Sequence, residues 1–272
     1  MFADNTLAFI GSGIMAEAMI RGLINQQVVT PSQIIGSDPY EQRCAELQEK
    51  YGIHTTTSNE EAATKGEIVV LSIKPQSLNK VMPEMRGRLR RRDLLISIMA
   101  GVPIKRLADG IAHAAVVRAM PNTPAQIGQG ISVWTSTPEV TEEQRGQAQA
   151  ILESFGEAIF EEDERYLDMA TALSGSGPGF VFMFMEAMID AGVHMGFSRR
   201  VASQLVSQTI LGSVAYANQS NKHVAELRNQ VTSPGGTTAA GLYHMEKGSF
   251  RTVISRAIWA AYERSIELGK GG

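Results

Sequence analysis

The most confining feature of this chain is its start, where Leu7-Ala-Phe-Ile10 runs straight into Gly11-Ser12-Gly13-Ile14-Met15-Ala16. The apolar run reads as a buried strand. Beyond it, Ile14, Met15, Ala18, Met19, Gly22 and Leu23 recur at helical spacing. The turn between them carries G-x-G-x-x-A. Gly11 permits a sharp exit from the strand, Gly13 lets backbone approach a pyrophosphate, and Ala16 keeps the helix close to the sheet. The first helical N–H groups lack intrahelical acceptors and lie at the positive end of the helix dipole, where a phosphate is stabilised. Strand, turn and helix in this order predict a dinucleotide-binding βα unit. A signal-peptide core is similarly apolar, but no basic run precedes this one and glycines interrupt it.

Length and composition set the outer limits. A chain of 272 residues has room for a large core and two domains. No apolar run approaches the ~20 residues that a bilayer-crossing helix needs, so no membrane span is expected. One cysteine, Cys44, allows no intramolecular disulfide, and with no leader in view it points to the cytoplasm. The net charge of −3 is no nucleic-acid signature.

Ile34-Ile35-Gly36-Ser37 reads as a second strand and ends at Asp38. An acid there accepts hydrogen bonds from ribose hydroxyls and repels a phosphate, which favours NADH; Arg43, or a rotated Asp38, would still admit NADPH. The alternative is that Asp38-Pro39 only caps the next helix. His54–Thr57 is a third strand, followed by a Ser58 cap. Ile68–Ile73 is apolar but for Ser72, as a parallel strand covered on both faces should be. Ligands of open α/β sheets lie beyond the carboxyl ends of strands, so Ser72, Ile73, Lys74, Pro75 and Gln76 should line a cofactor cleft; Met99, Ala100 and Gly101 stand at the carboxyl end of the next strand, Leu94–Ile98. Arg86 to Arg92 is rich in arginine but lacks interleaved aromatics, and reads as a solvated helix end. After Ala115–Ala119, two prolines stiffen Pro121-Asn122-Thr123-Pro124. That loop either sets the Asn122 amide beside a nicotinamide or serves as a rigid connector. Gly130–Thr135 and Glu157–Phe160 are strands around a helix begun by Thr141.

From about Asp163 the strand signal stops and helices follow, so the expected boundary is 164, with domains 1–164 and 165–272. Phe180–Ile189 is apolar nearly all round, and a small helical domain cannot cover such a helix alone; a homodimer through the helical half is expected. Ser174–Gly179 should end one helix and start the next, with Ser176 as N-cap. Thr232-Ser233-Pro234-Gly235-Gly236-Thr237-Thr238 gathers hydroxyls, flexible glycines and free helix N–H groups: a capped turn or a carboxylate site. No histidine or cysteine spacing suits a metal, and no G-x-S-x-G elbow is present. A dehydrogenase acting on alcohols usually needs His or Lys to take the hydroxyl proton. Hydroxyls suffice for a protonated C=N substrate, which is already a good hydride acceptor once oriented away from water.

Phe9–Ala16, Ile73-Lys-Pro-Gln76, Ser97–Val102, Val117–Pro124, Ala172–Pro178 and Glu226–Thr238, in this order, resemble pyrroline-5-carboxylate reductase over essentially the whole chain. The resemblance implies an α/β N-terminal Rossmann-type dinucleotide-binding domain followed by an all-α C-terminal dimerisation domain. It implies reduction of 1-pyrroline-5-carboxylate to L-proline with NADPH or NADH, the last step of proline biosynthesis. The expected partners are the small-molecule substrate and further copies of the chain, a homodimer that family members often extend to a homodecamer, with no nucleic acid and no membrane. The active site should lie between one subunit's cofactor domain and its partner's helical domain. By the same resemblance Ile10, Gly11, Ser12, Gly13, Ile14, Met15, Asn59, Ser72, Ile73, Lys74, Pro75, Met99, Ala100 and Gly101 attend the cofactor; Ser37, Asp38 and Asn122 are expected there too, from their places at the ends of strands. Ser233, Gly236, Thr237 and Thr238 hold the substrate, with Thr238 catalytic at the ring nitrogen and Glu164 near the substrate entrance. Asp38-Pro39 departs from the small polar residues usual in the family. A β-hydroxyacid dehydrogenase would want a helical-domain lysine, and none lies between Lys105 and Lys222. A cofactor-binding regulator without turnover has no use for the Ser233–Thr238 cradle.

Overall fold

Eight short strands hydrogen-bond in the order β3-β2-β1-β4-β5-β6-β7-β8 in a computed structural model that describes Phe2 and residues 5–270. They are β1 (Leu7–Ile10), β2 (Ile34–Ser37), β3 (His54–Thr56), β4 (Ile68–Leu71), β5 (Leu94–Ser97), β6 (Val116–Met120), β7 (Gly130–Ser136) and β8 (Gly156–Phe160). The pairs joining β1 to β6 are parallel, and β1 and β4 are buried at every position, which is why each reads as an unbroken apolar run. β7 runs antiparallel to β6, with Val117 opposite Ser136 and Met120 opposite Val133. The connection 121–129 explains this direction, because a parallel crossover takes about a dozen residues or more. Instead the chain makes a 3₁₀ turn at Thr123–Ile127 and reverses through Gly128, whose φ is +72°.

Helices cover both faces of the sheet. On one, α1 (Ile14–Asn25) and α6 (Glu142–Glu153) set Met19, Leu23, Ile151 and Leu152 against Leu7 and Phe9. On the other, α3 (Asn59–Lys65), α4 (Leu78–Met85) and α5 (Ile104–Ile111) set Ala62, Leu78 and Leu107 against Ala8 and Ile10. α2 (Glu41–Tyr51) follows β2 and buries Cys44 and Leu47. Local chemistry starts these helices where expected. Ser58 Oγ accepts the Glu61 N–H at 3.1 Å, and Thr141 and Gln144 form a reciprocal capping box.

The contacts divide the chain into two compact units: residues up to Ser176 together with those from Ala260 on, and Gly177–Trp259. The strands do end at Phe160, near the expected boundary of 164. The contacts divide later because α7 (Arg165–Ala170) packs on β6 and β7, and the end of α12 (Phe250–Lys270) belongs with the sheet.

Two expectations fail at Ser174–Gly179. The chain does not break there; a π-turn at Thr171–Gly175 carries α7 into α8 (Gly177–His194). Ser176 is therefore not an N-cap. Its backbone is helical, and both its N–H and its hydroxyl donate to the Thr171 carbonyl, at 2.8 and 3.0 Å. The wide turn satisfies the groups that a cap would otherwise serve. The joined run Arg165–His194 is, by length and composition, long and apolar enough to cross a membrane, contrary to expectation, because the π-turn extends an apolar helix that is shorter alone.

The second unit holds α8, α9 (Arg199–Gln219), α10 (Val224–Gln230), α11 (Thr237–Lys247) and the first part of α12. α10 has no counterpart in the sequence reading. Gly192 on α8 leaves room for Ala202 on α9, whose Cβ lies 3.1 Å from where a glycine Cβ would stand. Among the described residues this unit buries only Gly192, Ala202 and Val206, while Phe182, Met183, Leu211, Val214 and Tyr243 are exposed. A helical unit with so small a core of its own needs further apolar cover.

Candidate active site

The strand order reverses between β1 and β4, and the loops leaving these strands meet there. Gly11 turns out of β1 with φ +86°, and an added Cβ would stand 2.6 Å from Ile73 Cγ2. Only glycine suits that position. Ser72 secures the turn from β4: its hydroxyl donates to the Gly11 carbonyl at 2.6 Å, and its N–H donates to the carbonyl of Ile10 at 2.9 Å. Gly13 is different. Nothing lies within 4 Å of where its Cβ would be, so the space in front of its backbone is open. Gly13 is also the N-cap of α1 and carries no side chain to cap the helix. The open cradle and uncapped α1 terminus fit a pyrophosphate.

Around this turn, Ser12 donates its N–H to Asp38 Oδ2 at 3.2 Å and its hydroxyl to the Ser37 carbonyl at 3.1 Å. Asp38 Oδ1 also accepts the N–H of Tyr40. Ser37 Oγ donates to Asn59 Oδ1 at 2.7 Å, and Asn59 Nδ2 donates to Glu84. Ile14 faces outward and Met15 packs partly on the core. Lys74 and Pro75 open the 3₁₀ turn after β4. These residues from β1, β2, α3 and β4 converge on one end of the sheet.

The loop after β5 looks elsewhere in part. Met99 is buried, and Gly101, with φ +69°, lies under α12, where a Cβ would be 3.1 Å from Leu268 Cβ. Close helix packing is thus one reason for glycine there. The Asn122 amide binds two neighbours: Nδ2 donates to the Ser174 carbonyl at 3.2 Å and Oδ1 accepts the Ile131 N–H at 3.0 Å. One amide hydrogen remains for a ligand.

Sequence reasoning missed a charged network at Glu164. Arg118 on β6 is 3% exposed, and donates to Glu164 Oε1 at 2.8 Å and Asp168 Oδ1 at 3.3 Å. Glu164 Oε1 also accepts the N–H of Ile104, and Asp168 Oδ1 the hydroxyl of Ser265. The signal was an arginine inside the apolar run Ala115-Val-Val-Arg118-Ala119, because such a charge must find partners to be buried.

In the helical unit, Ser233–Thr238 leads into α11. Gly235 takes φ +71°, the Gly236 N–H donates to the Ser233 carbonyl at 3.0 Å, and Gly236 is the N-cap. The hydroxyls of Ser233, Thr237 and Thr238 make no hydrogen bond to another described residue. With no side chain capping α11, hydroxyls and helix N–H groups are left together as donors for an anion. Among the described residues no cluster of histidine, cysteine and acids could hold a metal.

Residues 164–268 match the family described as pyrroline-5-carboxylate reductase dimerisation, and residues 6–101 match that described as NADP oxidoreductase, coenzyme F420-dependent. The pyrroline-5-carboxylate reductase of Synechocystis is 40% identical over 97% of this chain and 98% of its own length. That of Pseudomonas aeruginosa is 40% identical over 97% of each. The crystal structure of the Plasmodium falciparum pyrroline carboxylate reductase with NADP bound superposes with a TM-score of 0.89 at 34% identity, covering 98% of both chains. A Rossmann-type sheet, an apolar helical dimerisation segment and near full-length identity at this level lead to one conclusion: the chain belongs to the pyrroline-5-carboxylate reductase family of NAD(P)H-dependent oxidoreductases, which reduce the C=N bond of 1-pyrroline-5-carboxylate to give L-proline.

Proposed function

We propose that the Ser233–Thr238 loop binds the substrate and that the turn Ile10–Met15, with Ser37, Asp38, Asn59 and Ser72–Pro75, binds the dinucleotide. The observation that carries this reading is the set of unpartnered hydroxyls at the uncapped start of α11, facing a substrate class that needs an anion site and no general base. The substrate carboxylate accepts hydrogen bonds from the Ser233 and Thr237 hydroxyls and from the first N–H groups of α11; Gly236 keeps that approach clear. Thr238 Oγ1 accepts the N–H of the protonated ring nitrogen and fixes which face of the C=N bond is presented. When bound, the reduced nicotinamide supplies the hydride. Because the imine is already protonated, the chain's task is to orient it and exclude water. Met99, Ala100, Gly101 and Asn122 border the nicotinamide end, and Glu164 lies near the substrate entrance, held by Arg118.

Residues 165–272 act as one dimerisation and substrate domain in this reading, with the exposed faces of α8 and α9 covered by a second copy. Further assembly to a homodecamer, a cytoplasmic location and the absence of nucleic-acid or membrane partners belong to the same proposal. A crystal soaked with proline tests it: the ligand carboxylate should lie on the Ser233–Thr238 loop. A carboxylate bound elsewhere refutes the mechanism. Oxidation of NADH or NADPH in the presence of 1-pyrroline-5-carboxylate tests turnover directly.

A further inference from the structure

Next to the dinucleotide turn, an open pocket past β2 is walled by Gly13, Asp38, Tyr40, Glu41, Arg43 and Glu46. An adenosine ribose leaving the Gly11–Gly13 turn would enter it. Among the described residues the wall offers several carboxylates and a single cation, Arg43, and that cation is engaged. Its Nε donates to the Ser12 carbonyl at 2.8 Å, one terminal nitrogen to Glu17 Oε2 at 2.5 Å and the other to Glu46 Oε2 at 3.4 Å. Glu17, in the first turn of α1, also accepts from Lys50 Nζ at 2.7 Å and from the Tyr51 hydroxyl at 2.8 Å. It is thus the hub of a clamp between α1 and α2. Burial alone would push its carboxyl up, but the donors Lys50, Arg43 and Tyr51 bring it down to about 2, so the clamp is charged at neutral pH.

We propose that Glu17 sets cofactor choice: by holding Arg43 it withdraws the one cation this pocket could offer a 2′-phosphate, and so makes NADH the preferred dinucleotide. Three of the five N–H groups of this guanidinium are engaged, one on a carbonyl and two on carboxylates, and Glu17 and Glu46 offset its charge, which weakens its pull on a third anion. Asp38 adds to the effect, since a ribose hydroxyl can donate to its carboxylate whereas a phosphate is repelled. The inference rests on the reading of Ile10–Met15 as the dinucleotide site, and its test separates the two.

Calorimetric titration of the full-length protein with ADP and with 2′,5′-ADP reads the pocket without turnover. The unsubstituted chain should bind ADP more tightly. Glu17→Gln should raise 2′,5′-ADP affinity about tenfold, the value of one good charge-assisted hydrogen bond, and leave ADP within about twofold. Arg43→Gln alone should leave the ratio of the two affinities unchanged within about twofold, because a clamped arginine contributes little to that ratio. Adding Arg43→Gln to Glu17→Gln should erase the gain. An unaltered ratio in Glu17→Gln overturns the proposal. So does a loss of 2′,5′-ADP affinity in Arg43→Gln alone, and that arm decides even if Glu17→Gln fails to fold. If ADP itself does not bind the unsubstituted chain, the dinucleotide reading falls first and takes the inference with it.

Discussion

Arg118 and Glu164 are linked by a 2.8 Å ion pair between the middle of β6 and the residue that precedes α7. Asp168, at 3.3 Å from the same guanidinium, extends the link into α7. Removing Arg118 leaves a carboxylate pair without its cation at a partly buried site. Arg118→Met should therefore cost about 3 kcal/mol of stability, the range for breaking a buried pair. Arg118→Lys should recover only part, since one ammonium lacks the planar fork that serves both acids. Urea denaturation measures both; a loss under about 1 kcal/mol for Arg118→Met would mean that the network is ornamental.

Glu17 links stability to pH in a defined direction. Its folded-state pKa of about 2 lies below the ordinary carboxylate value, so its contribution is complete above about pH 4.5 and is lost as pH falls through about 2. The stability difference between the unsubstituted chain and Glu17→Gln should be constant from pH 7 to 5 and shrink steadily below that. A difference that grows on acidification contradicts the sign.

Gly11 and Gly13 should respond differently to alanine. At Gly11 the new methyl would collide with Ile73 and the positive φ would be strained, so the fold itself should lose about 1–3 kcal/mol. At Gly13 nothing is near, so stability should hold within about 0.5 kcal/mol while dinucleotide affinity falls at least about tenfold. Thermal melts paired with ADP titration distinguish them; undiminished ADP binding in Gly13→Ala would remove the cradle from the site.

Thr238→Ala should lower kcat by roughly ten- to hundredfold, as expected for one hydrogen bond to a charged group worth about 1.5–3 kcal/mol, and leave NADH affinity unchanged. Unaltered turnover would exclude Thr238 from the mechanism.

Asp38→Ser should move the ratio of kcat/KM values toward NADPH by about tenfold or less, because Arg43 remains clamped. A shift of several hundredfold would show that Asp38 alone governs the choice.

Elements whose residues obey one period were legible in the chain. β1 and β4 are apolar throughout because both faces are covered, α1 follows a glycine turn, and Ser58 and Thr141 announce helices by local capping chemistry. Ser174–Gly179 misled because glycine, serine and proline usually punctuate helices, whereas here a π-turn absorbs them. No residue within β7 records its partner's orientation, and only the shortness of the connection 121–129 carries that signal in the chain.

The sequence by itself determined the dinucleotide turn, the succession of strands then helices, the apolar α8 and the hydroxyl-rich start of α11, because each depends on neighbours a few residues away. Only tertiary structure decided which charges meet. Glu17 reaches Arg43 across 26 positions, and Arg118 reaches Glu164 across 46. Those pairings bring an uncommitted arginine under control and bury another, and they follow from how the elements pack rather than from spacing along the chain.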